Sequence, residues 1–425
     1  MRRVLVLTPF FPPLAGGGVH RVLSFVRHLP ARGWACTVVC AGEHDYWVRD
    51  ESLLKQVPPA TEVLRVAGGS ALAAWLRVRG KADSGRRSGG AFAPLRSLAD
   101  WWLLPDSYAG WSRRARSVAA ARASRGDVHA VLSSSPPDSA HLAALDVTRT
   151  ARLPWVADFR DPWVGLHFRK PPTPWHAARH AAMEASVTGS ADLVLTASRT
   201  HERELASRAV GKPRRLLHLP NGFEPSTSTT QVVDRSRFRL AFTGTLSLMD
   251  DMGTLLDALE RLQGIEPRAR DALRVELVGP YDSDWEARTN ARGLGSLVRF
   301  SGPRSHAETR ALQRSADALL LWKPRGDGYR TMVPGKLYEY LDSERPILAL
   351  LPEHDEAAEL VTQAGGSVLP PGDAEALAVE LAARLARWRE AGRLPDARPA
   401  WLGEYARERL AGELARALDS LVERA

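Results

Sequence analysis

Between Gly326 and Leu341 the chain reads Gly-Asp-Gly-Tyr-Arg-Thr-Met-Val-Pro-Gly-Lys-Leu-Tyr-Glu-Tyr-Leu. An apolar run, Ala316 to Trp322, precedes this stretch and predicts a strand. Leu337, Tyr338 and Leu341 then follow at helical spacing. Pro334 suits a first helical turn, where its missing N–H costs nothing. The backbone N–H groups of Val333, Gly335 and Lys336 would lie at the positive end of that helix. Small residues, a lysine and a helix N-terminus after a strand make a site for an anion, most often phosphate. Glu339 falls one turn further in, on the same side as Gly335 and Lys336. A carboxylate there can accept two hydrogen bonds from a ribose diol. Phosphate at the helix mouth with ribose one turn in describes a nucleotide, although an ordinary strand–loop–helix join with a solvated glutamate has the same pattern.

A glycine-rich segment opens the chain. Val4 to Leu7 predicts a strand, Pro9 to Gly18 holds Gly16, Gly17 and Gly18, and Val19, Val22, Leu23, Val26 and Leu29 recur at helical spacing. Strand, glycine loop and helix form the phosphate-binding opening of nucleotide folds. Neither the GxGxxG fingerprint nor a P-loop is present.

The elements that must position these residues alternate strand and helix. Strands are predicted at Trp34–Ala41, Val63–Ala67, Val128–Leu132, Trp155–Phe159, Ala191–Thr196 and Arg215–Leu219, then at Leu240–Thr245, Val275–Gly279, Val298–Gly302, Ala318–Trp322 and Pro346–Leu351. Such alternation predicts parallel, doubly wound sheets. Ligands of such sheets bind at the carboxyl ends of strands. Gly16–Gly18, Ser133–Ser135 and Asp158–Asp161 fall there. The 425 residues exceed one ordinary domain. A polar, aperiodic stretch, 223–235, reads as the linker between a domain over 1–222 and a second over 236–400. Residues 401–425 read as a closing helix or pair.

Composition narrows the class. With 44% hydrophobic and 25% charged residues the chain is globular. No apolar run approaches the ~18–20 residues that span a bilayer, and the N-terminal run is too short for a signal peptide. Cys36 and Cys40, four apart in one strand, stand ~13 Å from each other, too far for a disulfide. Two cysteines make no zinc site. The net charge is +9. Eleven Lys/Arg against four Asp lie between Arg77 and Asp127, a local net of 11 − 4 = +7. That segment predicts an acidic partner or a solvated basic face. Within it, Arg79 to Ser97 is predicted as a mobile loop, and Trp101, Trp102 and Trp111 beside basic residues suit a membrane interface or plain core.

Pro12-Pro13, Gly16-Gly17, Ser134-Ser-Pro-Pro, Asp158-Phe-Arg-Asp-Pro-Trp163, Ala191-Asp, Thr196, Pro220-Asn-Gly222, Phe242-Thr-Gly244, Val278-Gly279, Phe300-Ser-Gly302 and Pro334-Gly-Lys-Leu-Tyr-Glu-Tyr-Leu341 occur in this order. In that order the chain resembles glycosyltransferase family 4, over nearly its whole length. The resemblance implies the α/β GT-B architecture: two Rossmann-like, doubly wound domains facing a cleft, the first for the acceptor and the second for the donor, with the C-terminal helix crossing back to the N-domain. It implies a retaining hexosyltransferase that takes a nucleotide sugar as co-substrate and needs no further cofactor. The Asp-x-Arg-Asp version resembles a subgroup acting on lipid-linked or surface polysaccharides. The core thiols Cys36 and Cys40 suit a cytoplasmic protein, the basic segment Arg79 to Arg125 is expected to face an anionic membrane or a phosphorylated lipid acceptor, and no nucleic-acid partner is expected.

By the same resemblance Glu339 holds the donor ribose, and the amides of Met332 to Gly335, Val333 among them, face diphosphate and sugar. The family's other motif glutamate falls at Thr331, and its usual arginine at Thr245, so both counter-groups differ here. Asp250 and Asp251 lie where a lysine often stands. Lys336 is the expected substitute, with Arg325, Lys323 or a divalent ion left open as alternatives. Gly17, Gly18 and Gly244 are expected to let backbone approach the donor, and Arg304 lies near where its base is held. Asp158, Arg160 and Asp161 are the expected catalytic group facing the donor sugar. With no assured nucleophile, a front-face route is expected. A sugar-nucleotide epimerase, a non-catalytic sugar-nucleotide-binding subunit and a transferase acting on a small natural product are the rival readings.

Overall fold

The computed structural model describes residues 1–42, 49–68, 86–87, 103–165, 170–208, 210–225, 236–246, 251–392 and 399–424. Most of the predicted loop at Arg79 to Ser97, Trp101, Trp102, Asp250 and most of the predicted linker lie outside the described residues. The chain forms two compact units. One comprises Met1–Ala82, Phe92–Gly222 and Glu404–Ala425, the other Asp83–Ala91 and Phe223–Gly403.

The first unit is built on seven strands: β1 (Arg2–Leu7), β2 (Trp34–Ala41), β3 (Glu62–Val66), β4 (Ala130–Ser135), β5 (Trp155–Phe159), β6 (Leu193–Thr196) and β7 (Leu216–His218). They pair in parallel in the order β3-β2-β1-β4-β5-β6-β7. A sheet covered on both faces needs strands apolar on both faces. In β1, Leu5 and Leu7 enter one core while Val4 and Val6 enter the other. Helices α1 (Gly17–His28), α2 (Ala109–Ala123), α3 (Ser139–Ala151), α4 (Pro174–Ser190) and α5 (Arg199–Ala206) join the strands. β4 runs through Ser133–Ser135, three residues beyond the apolar run that predicted it. Polar residues persist in this buried strand because Ser133 and Ser134 are hydrogen-bonded by side chains.

The second unit has six strands: β8 (Phe238–Thr243), β9 (Leu273–Val278), β10 (Val298–Gly302), β11 (Ala318–Trp322), β12 (Ile347–Leu350) and β13 (Ser367–Leu369). Their order is β10-β9-β8-β11-β12-β13, again all parallel. Helices α6 (Met252–Ile265), α7 (His306–Ser315), α8 (Gly335–Asp342), α9 (Glu356–Gln363) and α10 (Ala374–Ala391) cover it. The last helix, α11 (Arg407–Val422), belongs to the first unit. Its Leu410, Leu414, Leu418 and Leu421 join Val22, Phe25 and Val26 of α1 in one core.

Each sheet reverses its strand order once, between β1 and β4 and between β8 and β11. A doubly wound sheet opens a crevice at that reversal, outside the carboxyl ends of its strands. Topology alone therefore points to Gly16–Gly18 with Ser133–Arg160 in one unit, and to Gly244 with the segment after Trp322 in the other.

Candidate functional site

In the first unit the crevice residues hold one another. Gly16 has φ of +117° just before α1, a conformation suited to glycine. Arg21, on the sheet-facing side of α1, is 2% exposed. Its guanidinium meets Asp158 at 2.7 and 3.0 Å and the Pro220 carbonyl at 2.7 Å. Ser134 Oγ donates to the other side of the Asp158 carboxylate at 2.8 Å. Arg160 donates Nε to the Ser135 carbonyl at 2.8 Å, Nη1 to the Gly18 carbonyl and Nη2 to the Pro136 carbonyl. A Cβ at Gly18 would lie 2.8 Å from the Arg160 guanidinium, so Gly18 admits the clamp. Gly17 has open space around it.

These contacts give the three members of the expected catalytic group different surroundings. Asp158 is a buried counter-ion for Arg21, and three carbonyls from two segments, Gly18 and Ser135–Pro136, take up the Arg160 donors. Asp161 differs from both. It is half-buried, and among the described residues no hydrogen bond or ion pair holds its carboxylate. Burial pushes its pKa above the usual carboxylate range, with the positive charge of Arg160 acting against that rise.

His141 lies behind this cluster, fully buried and stacked on Phe159 with ring centroids 4.4 Å apart. Its Nδ1 is 2.7 Å from Ser133 Oγ, which accepts from the Trp155 indole at 2.8 Å. Burial pushes the His141 pKa down to about 3. It is a neutral core histidine.

The second unit presents a different arrangement. β8 is followed by Gly244, at φ of +137°, where a Cβ would stand 3.2 Å from Lys336 Nζ. Lys336 Nζ lies 3.6 Å from the centroid of Phe242, itself stacked on Trp322 at 4.3 Å. The ammonium thus rests on an aromatic platform beside the opening turn of α8, a favourable contact for a cation. Gly335, the first residue of α8, is exposed, and the first N–H groups of a helix have no acceptor within it. Thr331 and Val333 are buried. What reaches a ligand from this loop is therefore backbone.

Lys323 explains how the loop is held. It is 4% exposed, donates to the carbonyls of Tyr329 at 3.0 Å and Met332 at 3.2 Å, and forms an ion pair with Asp355. Arg325 is paired with Asp251 and donates to Thr254 at 3.1 Å. Of the three cations considered as substitutes, these two are committed to protein groups, and Lys336 stands at the helix mouth. Arg304 is exposed after β10.

Glu339 lies one turn into α8, its side chain 14% exposed. Oε1 is 3.0 Å from His306 Nε2, and Oε2 accepts from Gln313 Nε2 at 3.4 Å. Arg310 from the same helix, α7, donates to the Glu339 carbonyl and pairs with Asp342. Sequence reasoning missed Arg21, His306, Arg310 and Gln313. Arg21 carried a signal, being a charge on the apolar face of α1. The others meet their partners about thirty residues away, which no local pattern reveals. Among the described residues no group of three His, Cys, Asp or Glu side chains is placed to hold a metal ion, and no helix is long and apolar enough to cross a membrane.

No family model matches this chain, and no curated protein matches it. Solved structures do. The sucrose-phosphate synthase of Thermosynechococcus elongatus superimposes with a TM-score of 0.66 at 16% identity, covering 100% of both chains. HepE of Anabaena, in complex with UDP and glucose, gives 0.64 at 17% identity over 99% of this chain and 100% of that one. WaaG, a glycosyltransferase involved in lipopolysaccharide biosynthesis, gives 0.58 at 16% identity over 99% and 98%. At these identities the likeness is one of architecture: this chain has the two-unit, parallel α/β GT-B fold of those enzymes.

Proposed function

We propose that this protein is a retaining glycosyltransferase that moves a sugar from a nucleotide donor to a lipid-linked or cell-surface glycan intermediate. The observation that carries the proposal is the second unit's switch point. There Lys336 Nζ, the N-terminus of α8 and the close-packed Gly244 form a place for a diphosphate, with Glu339 one turn away for a ribose diol. Support for the donor class comes from HepE, solved with UDP and glucose. Support for a glycan acceptor comes from WaaG, named for lipopolysaccharide biosynthesis.

The chemistry is a front-face displacement. The bond from the sugar's anomeric carbon to the diphosphate breaks while the acceptor oxygen attacks the same face. The acceptor proton passes to the departing phosphate oxygen. Lys336 and the helix N-terminus stabilise the charge that grows on the leaving group, a form of preorganised electrostatic catalysis. Of the first unit's charged trio, Asp161 is the group assigned to accept a hydrogen bond from a sugar hydroxyl, since Asp158 and Arg160 are engaged with protein groups. No metal is required in this scheme.

Donor binding and hydrolysis across a panel of nucleotide sugars, with wild type beside Glu339→Ala, tests the proposal. One donor should bind and turn over, and the variant should lose both. Binding with no turnover of any donor would favour a non-catalytic nucleotide-binding subunit, a reading that Thr331 and Thr245 in the family's glutamate and arginine places make specific. Membrane contact is a separate part of the proposal. It rests on the basic segment, of which Arg113, Arg114 and Arg116 on α2 are exposed. Sedimentation with anionic liposomes should fall when Arg86, Arg87, Arg113 and Arg114 are neutralised together.

A further inference from the structure

His306, Arg310 and Gln313 occupy positions i, i+4 and i+7 of α7, one face of the helix. All three reach α8. His306 Nε2 is 3.0 Å from Glu339 Oε1. Gln313 Nε2 donates to Glu339 Oε2 at 3.4 Å and to Thr243 Oγ1 at 2.9 Å. The Gln313 amide has a defined orientation, because its Oε1 accepts from Arg310 at 2.8 Å and its NH₂ must then face Thr243 and Glu339. Arg310 is fixed in turn by Asp342 and by the Glu339 carbonyl.

We infer that His306, seconded by Gln313, is a positioning residue that holds the Glu339 carboxylate in the rotamer that reads a ribose diol. The inference rests on the nucleotide reading of this site. A glutamate side chain loses rotamer freedom when it is fixed, among the larger such losses of any side chain. Bonds from α7 to both carboxylate oxygens impose that loss on folding, before any ligand arrives. A ligand then meets an ordered acceptor, which is how preorganisation raises affinity. A carboxylate accepts up to about four hydrogen bonds, so bonds from α7 and from a diol can coexist. His306 donates to Glu339 through Nε2–H. A glutamine at the same place carries an N–H at nearly the same reach, whereas alanine carries none.

This role predicts an effect on one chemical group of the ligand. UDP and GDP, each beside its 2′-deoxy analogue, are titrated calorimetrically into wild type, His306→Ala, His306→Gln and Glu339→Ala. Wild type should prefer the ribose form of whichever diphosphate it binds by about 10-fold or more, the size of one hydrogen bond to a charged group. His306→Ala should cut that preference to about 3-fold or less and leave the affinity for the 2′-deoxy form nearly unchanged. His306→Gln should restore most of it. The His306 side chain is 27% exposed, so the alanine variant should fold. If His306→Ala keeps the full ribose preference, or weakens ribose and deoxyribose forms alike, His306 is merely structural and the inference falls. If Glu339→Ala loses the preference while His306→Ala does not, the nucleotide reading stands and only the inference falls. If neither diphosphate binds wild type, the nucleotide reading falls and takes the inference with it.

Discussion

The two units share one strand order and place charged residues at the same topological point, yet they use those charges in opposite ways. In the first unit Asp158 answers Arg21, Arg21 and Arg160 together donate to four backbone carbonyls, and Asp158 and Arg21 are essentially out of water. In the second, Lys336 lies over an aromatic ring beside an exposed glycine at a helix mouth, and α7 holds Glu339 by its carboxylate with part of it still open. Residue type in a motif flags both regions equally. What differs is burial: Asp158 and Arg21 are closed off from water, whereas Lys336 and Glu339 keep part of their side chains exposed.

Asp158→Asn gives the largest test of that separation. It leaves Arg21 buried without its counter-ion, and breaking a buried pair in this way costs about 3–5 kcal/mol. Calorimetry should show the first unit melting far earlier. A small change in melting with a large loss of turnover would instead return Asp158 to the catalytic group.

Lys336→Met should do the reverse. Removing one charge-stabilising donor lowers kcat by about 10²–10³-fold, while the half-exposed site leaves the melting point near that of wild type. Rates with the best donor found in the panel, set beside melting curves, decide it.

Acid should also tell the units apart. His141 and His201 are buried in the first unit, and burial holds both pKa values down at about 3. The unfolded chain takes up protons near the ordinary value of 6.5 while the folded unit does not. Stability is therefore full above about pH 6.5 and is lost as the pH falls from there toward 3. Each histidine contributes on the order of 1.4 kcal/mol per pH unit in that window. Melting followed at pH 7, 6 and 5 should show the first unit's transition falling steeply, and His141→Phe should flatten the slope. Parallel movement of both transitions would mean the units are not separately stable.

Much of the scaffold was legible because strands buried on both faces read as unbroken apolar runs. Trp34–Ala41 and Ala318–Trp322 have the predicted bounds for that reason, and Trp155–Phe159 has them with one buried charge, Asp158, in the run. β13, Ser367–Leu369, was missed because three residues carry no period. At the site, the helix opening at Gly335, and the positions of Lys336 and Glu339 on it, followed from Pro334 and apolar spacing. The sequence could not show which charges were already spoken for. Arg21 and Asp158 lie 137 residues apart, and only packing brings them to 2.7 Å. His306 and Glu339 are a similar case.

Asp161→Asn is the finest test, because Asp161 and Asp158 share a motif and differ only in surroundings. The Asp161 carboxylate is half-buried, held by no hydrogen bond among the described residues, and raised in pKa by burial. Its charged form is therefore disfavoured in the folded state. Neutral asparagine of the same shape removes that penalty, so stability should hold or rise by about 0.5–1 kcal/mol, as is common when a functional group is neutralised. Transfer should nonetheless fall by about 10–100-fold, the loss expected when a sugar hydroxyl gives up a hydrogen bond to a charged acceptor. The raised pKa adds a pH signature. Transfer by wild type should decline on the acid side at a higher pH than an ordinary aspartate would give, and the variant should lack that limb. A stability loss matching that of Asp158→Asn would show that the motif acts as one structural block, with neither carboxylate reserved for a substrate.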